Sequence, residues 1–352
     1  MIYRARAPLR ISFAGGGSDL SPYVNEHGGL VLCTTINRFA RATLRISAKQ
    51  VIRVRSLDYG TSLDLDLHQP PPFDGNLDLV KGCLRRLNPS HTLNHGLELF
   101  LDTEAPPGSG LGASSALVVA TIGALAEWRQ LRLNRYEVAR LAWEIERNDV
   151  GVPGGLQDQY AASFGGVNLI EFRSETDVVV NPLRVEPRIL SELEFNMLLV
   201  YTGATRVSAK IIASQIAGLS EKRAVISDAM DEMKRLTLKA KDALLTGRLD
   251  EFASILHEEW LAKKRTSDAV STPRIEELYE EARRLGVVGG KVSGAGGGGF
   301  MFLYCPFDRR PDVTKRLMEL GCEVTPVAFV PTGMESWAWV DGGGEQRINT
   351  AD

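Results

Sequence analysis

Alternating apolar and polar positions mark the first third of the chain, and this period of two predicts β-strands. In one such segment Leu63, Leu65 and Leu67 share a single face. The strand pattern occurs at residues 40–46, 50–55, 61–67 and 97–102. A β-sheet is therefore expected to form the beginning of the protein.

Helical spacing follows a break at residues 69–75, which hold three consecutive prolines. Helices are predicted at 114–128 and 135–148, and the first is apolar enough to be buried. A further helix begins at Gln157, after a turn rich in glycine and proline at 151–155.

The second half has a different pattern, with charged amphipathic helices between residues 206 and 285. The order predicts an α+β protein with two domains, 1–185 and 186–352, the second with helices on one face of an antiparallel sheet. Further strands are predicted at 195–201, 299–305, 323–330 and 337–340, and a helix at 311–320.

Composition narrows the possible functions. The 352 residues are 44% hydrophobic and 24% charged, as expected for a globular enzyme with a substantial core. Lys and Arg total 41 against 44 Asp and Glu, so a nucleic-acid partner is not expected. The absence of a long apolar run or signal-peptide core predicts a cytoplasmic protein without a membrane segment. Four cysteines without a CxxC motif favour reduced, buried thiols.

A glycine-rich segment, Pro-Pro-Gly-Ser-Gly-Leu-Gly-Ala-Ser-Ser-Ala at 106–116, directly precedes the predicted apolar helix. Its glycines allow backbone N–H groups to approach an anion, and the positive end of the helix dipole faces the same point. The hydroxyls of Ser114 and Ser115 lie where a metal-bound triphosphate would bind. The segment predicts nucleotide binding, although a tight loop with a serine helix cap has the same residues.

A second glycine cluster lies at 289–300, with Lys291 near its start. Val292 occupies the position where a Walker A loop needs Ser or Thr, and a strand rather than a helix follows, so neither common nucleotide fingerprint fits. Its glycines approach either the nucleotide phosphates or the first glycine loop across a domain interface, unless the segment is a plain linker. Lys291 contacts the nucleotide or only caps the loop.

A third cluster, residues 7–19, places Arg10 before apolar residues and Asp19 after three glycines. A strand here would end by presenting a cation and a carboxylate to one cleft. A surface ion pair is the simpler alternative.

These three segments, in this order, resemble the motifs of the GHMP kinases, a superfamily that includes galactokinase, homoserine kinase and mevalonate kinase. The resemblance rests on residues 7–19, 107–116 and 291–300 and spans nearly the whole chain. It implies a two-domain α+β fold: an N-terminal domain like that of ribosomal protein S5, a ferredoxin-like C-terminal domain, and ATP bound in the cleft.

Within the superfamily, four segments are similar to those of heptose 7-phosphate kinases: 13–19, 155–162, 201–206 and 290–293. Small residues stand in the first where galactokinases carry Glu-His, which favours a bulkier, phosphorylated sugar. The resemblance implies phosphorylation of O1 of D-glycero-D-manno-heptose 7-phosphate, in nucleotide-activated heptose synthesis for surface polysaccharide. Its partners would be ATP and a sugar phosphate, with a homodimer possible.

The resemblance also implies the ligands of ATP and Mg²⁺. The metal would bind Ser115 and Glu146, which supply hard oxygen atoms. Glu146 could instead be a solvated partner of Arg147 or Arg140. The residues implied for the nucleotide are Pro107, Gly108, Ser109, Gly110, Leu111, Gly112, Ala113, Ser114, Ser115, Gly296 and Gly297.

For the sugar, the resemblance implies Asp158 as the group that accepts the proton of the anomeric hydroxyl, with Arg10 stabilising developing charge. Asp158 could also be a simple helix N-terminal charge. Arg206, at a predicted helix start, is the candidate for the sugar's own phosphate, unless it is merely solvated. The implied substrate-binding residues are Gly16, Gly17, Ser18, Asp19, Asp158 and Arg206.

Other functions remain open at this point. Another sugar kinase of the superfamily could act on fucose, galactose or an unphosphorylated heptose. A catalytically silent sensor of sugar and ATP on the same fold, or a dehydrogenase that binds a dinucleotide with its glycines, would use similar loops.

Overall fold

The computed structural model describes residues 1–58, 60–88, 93–203, 208–221 and 224–340, with all their side chains except those of 208 and 209. The strands in these ranges are β1 (Ile2–Ala14), β2 (Gly29–Ser47), β3 (Ile52–Ser56), β4 (Thr61–Leu65), β5 (Gly96–Thr103), β6 (Val167–Phe172), β7 (Val178–Pro182), β8 (Met197–Tyr201), β9 (Gly289–Val292), β10 (Phe300–Tyr304), β11 (Glu323–Thr325) and β12 (Glu335–Trp339). The helices are α1 (Tyr23–His27), α2 (Asp78–Leu87), α3 (Ala113–Arg129), α4 (Arg135–Glu144), α5 (Gln157–Phe164), α6 (Pro187–Asn196), α7 (Ser208–Ser220), α8 (Ala224–Leu245), α9 (Leu249–Lys264), α10 (Pro273–Arg284) and α11 (Arg310–Glu319), with a π-helix at Ile145–Asp149 and a short 3₁₀ helix at Asp268–Val270.

The strands form two sheets. The larger has the order β12-β1-β2-β5-β3-β4, with β6 paired to β2 and β7 paired to β6. Its centre is β2, which is long because it pairs with β1, β5 and β6. The smaller sheet has the order β11-β8-β10-β9, and all its pairs are antiparallel. The predicted α+β class and the antiparallel second sheet are confirmed.

Several elements differ from the predicted ones. Residues 7–14 of β1 are buried on both faces, so this strand shows no alternation by which its length could be predicted. The strand predicted at 323–330 ends at Thr325, and the strand predicted from residue 195 starts at Met197, because α6 runs to Asn196. The last strand, β12, pairs with β1 in the larger sheet. The domain boundary at 185/186 stays a prediction. Although β12 follows that boundary in sequence, it belongs to the larger sheet, which is otherwise built from residues before the boundary.

One buried ring joins the two sheets. Phe13 of β1 makes edge-to-face contacts with Phe252 of α9, Phe302 of β10 and Phe329, at centroid distances of 5.3, 5.9 and 6.0 Å. Each such pair stabilises a fold by about 0.5–1.5 kcal/mol beyond the burial of its area. Because Phe13 lies just before Gly15, this shared core holds the glycine cluster at 7–19 beside the smaller sheet.

A direct backbone contact between α9 and β9 generates a stability prediction. A Cβ on Gly289 would clash with the carbonyl oxygen of Ala253, which belongs to the helix. We expect Gly289→Ala to lower the free energy of unfolding in urea by about 2–3 kcal/mol, since overpacking forces backbone shifts. Gly321→Ala is the control, because φ is 82° there but nothing lies within 4 Å, so only the backbone cost of about 1 kcal/mol applies. Equal losses in the two variants would contradict the contact.

Candidate active site

The three glycine clusters line one cleft of about 810 Å³. Gly16 and Gly17 come from the cluster at 7–19, and Gly294 and Ala295 from the cluster at 289–300. The glycine-rich segment at 106–116, called the phosphate loop below, contributes every residue from Pro107 to Ser115 except Leu111. A cleft of this size is in the range typical of small-molecule sites.

The start of α3 faces this cleft without a side-chain cap. Gly112 precedes the helix with φ of 72°, and within the described ranges no side-chain cap accepts a hydrogen bond from the helix start. Gly108 and Gly110 are also left-handed, with φ of 75° and 80°. The serine-cap alternative is therefore wrong, because the N-cap residue is a glycine. Uncapped N–H groups and the positive end of the helix dipole are what an anionic phosphate binds.

The two longer glycine loops pack directly against each other. The N–H of Phe300 donates to the Ser109 carbonyl oxygen at 2.9 Å. A Cβ on Gly110 would clash with the Ser293 carbonyl, and a Cβ on Gly299 would clash with the Ser109 carbonyl. Of the two close approaches predicted for the 289–300 cluster, the structure shows the one to the first glycine loop.

Three residues predicted to contact the nucleotide do not line the cleft. The N–H of Gly297 donates to the Val270 carbonyl at 2.7 Å, and a Cβ on Gly296 would lie 2.5 Å from the same oxygen. Leu111 is fully buried, and its carbonyl accepts from the Arg10 N–H at 3.0 Å. Gly296, Gly297 and Leu111 are therefore not part of the cleft lining, and their roles as nucleotide ligands stay predictions.

Arg10 and Asp158 form an ion pair beside the phosphate loop. Arg10 Nε and Nη2 lie 2.7 and 2.6 Å from Asp158 Oδ1, and Nη1 donates to the Gly110 carbonyl at 2.6 Å. The arginine side chain is 4% exposed and the aspartate 25%. A Cβ on Gly112 would lie 3.4 Å from Asp158 Oδ2, so this second oxygen lies against the phosphate loop. The surface-pair alternative for Arg10 is wrong, because its side chain is buried in the cleft wall.

Comparison with known proteins agrees with this site. The GHMP kinase N-terminal domain model matches residues 78–166, and the C-terminal model matches residues 240–320. A D-glycero-alpha-D-manno-heptose 7-phosphate kinase of Campylobacter jejuni is 38% identical over 95% of this chain and 98% of its own. The chain belongs to the GHMP kinase family.

Two further relatives place this GHMP kinase among sugar kinases. A crystal structure of a D-glycero-D-manno-heptose 1-phosphate kinase from Bacteroides thetaiotaomicron matches with a TM-score of 0.81 and 36% identity, over 96% of this chain and 100% of that one. A bifunctional fucokinase/GDP-fucose pyrophosphorylase of Arabidopsis thaliana is 27% identical over 90% of this chain, which covers 31% of that protein. The predicted fold, the kinase class and the use of ATP are thereby confirmed.

Ser115 and Glu146 meet in the cleft wall of this GHMP kinase. The π-helix after α4 carries Glu146, and its Oε2 accepts from Ser115 Oγ at 3.1 Å and from Arg147 Nη1 at 3.1 Å. Gln159 of α5 donates to Glu146 Oε1 at 2.9 Å. Burial, the largest effect, raises the pKa of Glu146, and the Arg147 charge opposes it. π-Helical turns frequently occur at functional sites.

The spacing of the Ser115 and Glu146 oxygen atoms fits a magnesium ion. Adjacent ligands of octahedral Mg²⁺ lie about 2.9 Å apart, close to the 3.1 Å between Ser115 Oγ and Glu146 Oε2. Among the described residues there is no group of three or more His, Cys, Asp or Glu side chains suited to a metal. Such a magnesium ion would take its remaining ligands from substrate phosphates and water, as is common in kinases.

Asp19 accepts backbone hydrogen bonds at the start of α5. Its carboxylate is buried and accepts from the N–H groups of Gly17, Leu156 and Gln157 at 3.0, 2.9 and 3.0 Å. A Cβ on Gly155 would clash with it. Asp19 therefore holds the helix that carries Asp158, and its role as a sugar ligand stays a prediction.

Other predicted site residues have mixed outcomes. Ser18 is fully buried and does not line the cleft, and its hydroxyl donates to the Gly15 carbonyl at 2.7 Å. Its role as a substrate ligand stays a prediction. Lys291 does not line the cleft and pairs with the buried Glu259 at 2.9 Å. Arg206 lies outside the described residues.

Sequence reasoning missed two cleft residues, Arg147 and Lys263, and one residue buried behind the cleft wall, Gln159. Arg147 follows Glu146 and donates to the Gly155 carbonyl at 3.0 Å, and Gln159 holds the Glu146 carboxylate. Lys263 lies on the charged helix α9, where a lysine ordinarily indicates a solvated face. Two of them had a sequence signal: Gln159 lies one residue after the predicted Asp158, and Arg147 was named as a possible solvated partner of Glu146, which it pairs with in the buried cleft wall.

The contacts of Asp19 generate a prediction that separates its two possible roles. We expect Asp19→Asn to lower the free energy of unfolding by about 2–3 kcal/mol, because charge-assisted hydrogen bonds are lost and buried donors stay unsatisfied. Asp66→Asn is the control, since Asp66 is exposed and accepts one backbone hydrogen bond, from His68 at 2.7 Å. Unchanged thermal stability with a raised KM for sugar would show that Asp19 binds the sugar and does not stabilise the start of α5.

Proposed function

We propose that this GHMP kinase transfers the γ-phosphoryl group of ATP to O1 of D-glycero-D-manno-heptose 7-phosphate, in the synthesis of nucleotide-activated heptose for surface polysaccharide. The observation that carries the proposal is the Arg10–Asp158 pair, which lies in the same cleft as the uncapped start of α3. The Campylobacter jejuni relative, named a heptose 7-phosphate kinase, supports the choice of sugar.

Asp158 acts as the general base in this proposal. The anomeric hydroxyl loses its proton to the carboxylate while its oxygen forms a bond to the γ-phosphorus. The bond from that phosphorus to the bridging oxygen breaks, and ADP leaves with the electron pair. Oδ2 suits the proton transfer, because Oδ1 already accepts from Arg10.

The backbone and Arg10 stabilise charge in this proposal. In phosphoryl transfer the charge spreads over the phosphoryl oxygens, so catalysis is mainly positioning and electrostatic stabilisation. N–H groups of residues 108–115 bind the phosphates, and Arg10 faces the transferred group. Mg²⁺, when bound, neutralises the phosphate oxygens, and Ser115 with Glu146 would hold it.

Cytoplasmic location and a homodimer stay predictions. None of the helices in the described ranges is long and apolar enough to cross a membrane.

The acceptor is tested by measuring ADP release with a panel of sugars. We expect turnover with heptose 7-phosphate that exceeds turnover with heptose, fucose or galactose. Heptose 1-phosphate belongs in the panel, because the Bacteroides thetaiotaomicron relative is named for that compound. Turnover confined to an unphosphorylated sugar would contradict the proposed substrate, and no ATP consumption with any sugar would favour a sensor.

The proposed base is tested with Asp158→Asn. We expect single-turnover phosphoryl transfer to slow by about two to four decades, since a positioned base contributes that much. Asp177→Asn is the control, because Asp177 is 56% exposed and pairs only loosely with Arg173, at 3.7 Å. A rate within a few-fold of the unmodified enzyme would show that Asp158 orients other groups and takes no proton.

The proposed metal ligand is tested with Glu146→Gln. We expect the Mg²⁺ concentration for half-maximal activity to rise at least about tenfold, because loss of a supporting group near a metal already has that effect. Glu144→Gln is the control, as Glu144 pairs with Arg140 at 2.8 Å just before the π-helix. ADP binding measured with and without Mg²⁺ gives a second readout. An equal response of both variants would contradict the assignment of Glu146.

A further inference from the structure

Lys263, in the last turn of α9, lies at the junction of two glycine clusters and lines the cleft. Its Nζ donates to the Gly294 carbonyl at 2.6 Å and to the Gly16 carbonyl at 3.2 Å. The residue is only 4% exposed. A lysine ammonium has three N–H donors, so one donor remains after these two carbonyls, which are its acceptors among the described residues.

The charge of Lys263 is not balanced by a direct partner. Of the cations that line the cleft in the described ranges, Arg10 pairs with Asp158 and Arg147 pairs with Glu146. Lys263 has no carboxylate oxygen within 4.0 Å there, as Glu259, one turn earlier on α9, pairs with Lys291. A buried charge without a counter-charge is costly.

The surroundings of Lys263 disfavour its charged form, as expected for a buried ammonium without a paired carboxylate. Burial, followed by the charge of Lys291, lowers the pKa of Lys263 below its usual value, while Glu259 and Asp19 oppose the shift and Arg10 adds to it. An anion in the cleft would favour the charged ammonium and would accept its remaining N–H.

Lys263 also lies close to the proposed reaction centre. Its acceptor Gly294 follows Ser293, whose hydroxyl is 3.4 Å from Arg10 Nη1. A Cβ on Gly294 would lie 2.8 Å from the Cα of Gly110 in the phosphate loop. A group that reaches the third donor of Lys263 is therefore bound next to the loop that holds the nucleotide and next to the Arg10–Asp158 pair.

We propose that Lys263 binds an anionic phosphoryl oxygen in the substrate complex, either of the terminal phosphate of the nucleotide or of the phosphate that the sugar carries. This deepens the proposed function and, for the sugar, rests on it. The charge makes Lys263 a determinant of which phosphorylated ligand the cleft accepts. A purely structural lysine would only tie the Gly16 and Gly294 carbonyls together.

Calorimetric binding to paired ligands tests the proposal. The variants are Lys263→Met, which removes the charge, and Lys263→Gln, which removes the charge but keeps donors for the two carbonyls. Lys264→Met is the matched control, because Lys264 is the next residue, pairs with Glu276 at 2.9 Å and does not line the cleft. The paired ligands, all with Mg²⁺, are a β,γ-imido ATP analogue against ADP, and heptose 7-phosphate against heptose.

We expect one phosphorylated ligand to lose about 10- to 100-fold in affinity, as for a hydrogen bond to a charged group, while its counterpart without that phosphate changes less than about twofold. A loss for the ATP analogue but not ADP assigns Lys263 to the nucleotide. A loss for heptose 7-phosphate but not heptose assigns it to the sugar. Lys264→Met should change none of the four affinities.

Three results overturn the inference. The first is that all four affinities fall together, and the second is that all four stay unchanged in folded variants. The third is that both Lys263 variants fail to fold while Lys264→Met folds, which would show that Lys263 has only a structural role. Failure of the proposed function has a different signature. An unmodified enzyme that neither binds nor phosphorylates heptose 7-phosphate removes the sugar from the account, and the nucleotide pair then decides the role of Lys263.

Discussion

The contact between the two longer glycine loops is the constraint on which the rest of the structure depends. Ser109 accepts a hydrogen bond from Phe300, and the backbones of Gly110 and Ser293 approach so closely that no side chain fits between them. Segments almost two hundred residues apart in sequence thus meet at one point. Because Gly110 and Gly299 have positive φ as well, both the close approach and the backbone conformation require glycine.

This contact brings several functional groups together around one cleft. Arg10 donates to the Gly110 carbonyl and also pairs with Asp158, so β1, the phosphate loop and α5 are held in register at the proposed reaction centre. Three carboxylates have different environments there. Asp158 is partly exposed beside an arginine, Glu146 is buried against a hydroxyl and an amide, and Asp19 is buried against backbone N–H groups. Those environments fit a base, a metal ligand and a structural closure.

The sequence predicted the fold class, the family and the segments that form the cleft, because glycine clusters and a following apolar helix are local signals. It did not predict which residues of a loop face the ligand. Gly296 and Gly297 turn to the Val270 carbonyl while Gly294 and Ala295 line the cleft, and that register depends on tertiary packing. Ser18 likewise does not line the cleft, since its hydroxyl donates to the Gly15 carbonyl in a buried turn.

Two charged residues of helix α9 were not predicted as site residues. Glu259 and Lys263 of α9 have the spacing of a solvated helical pair, yet both are buried where the glycine clusters at 7–19 and 289–300 meet. Glycines leave space beside the backbone, and long polar side chains from α9 fill it. Sequence periodicity predicts which face of a helix is buried, but it does not predict where a distant segment leaves space for a polar side chain.

A crystal structure with a non-hydrolysable ATP analogue, Mg²⁺ and heptose 7-phosphate tests the central claim most directly. The account predicts the triphosphate between residues 108–115 and 294–295. It also predicts sugar O1 about 3–3.5 Å from the γ-phosphorus and within hydrogen-bond reach of Asp158. A triphosphate bound away from the two glycine loops, or a sugar whose O1 points away from Asp158, would contradict it.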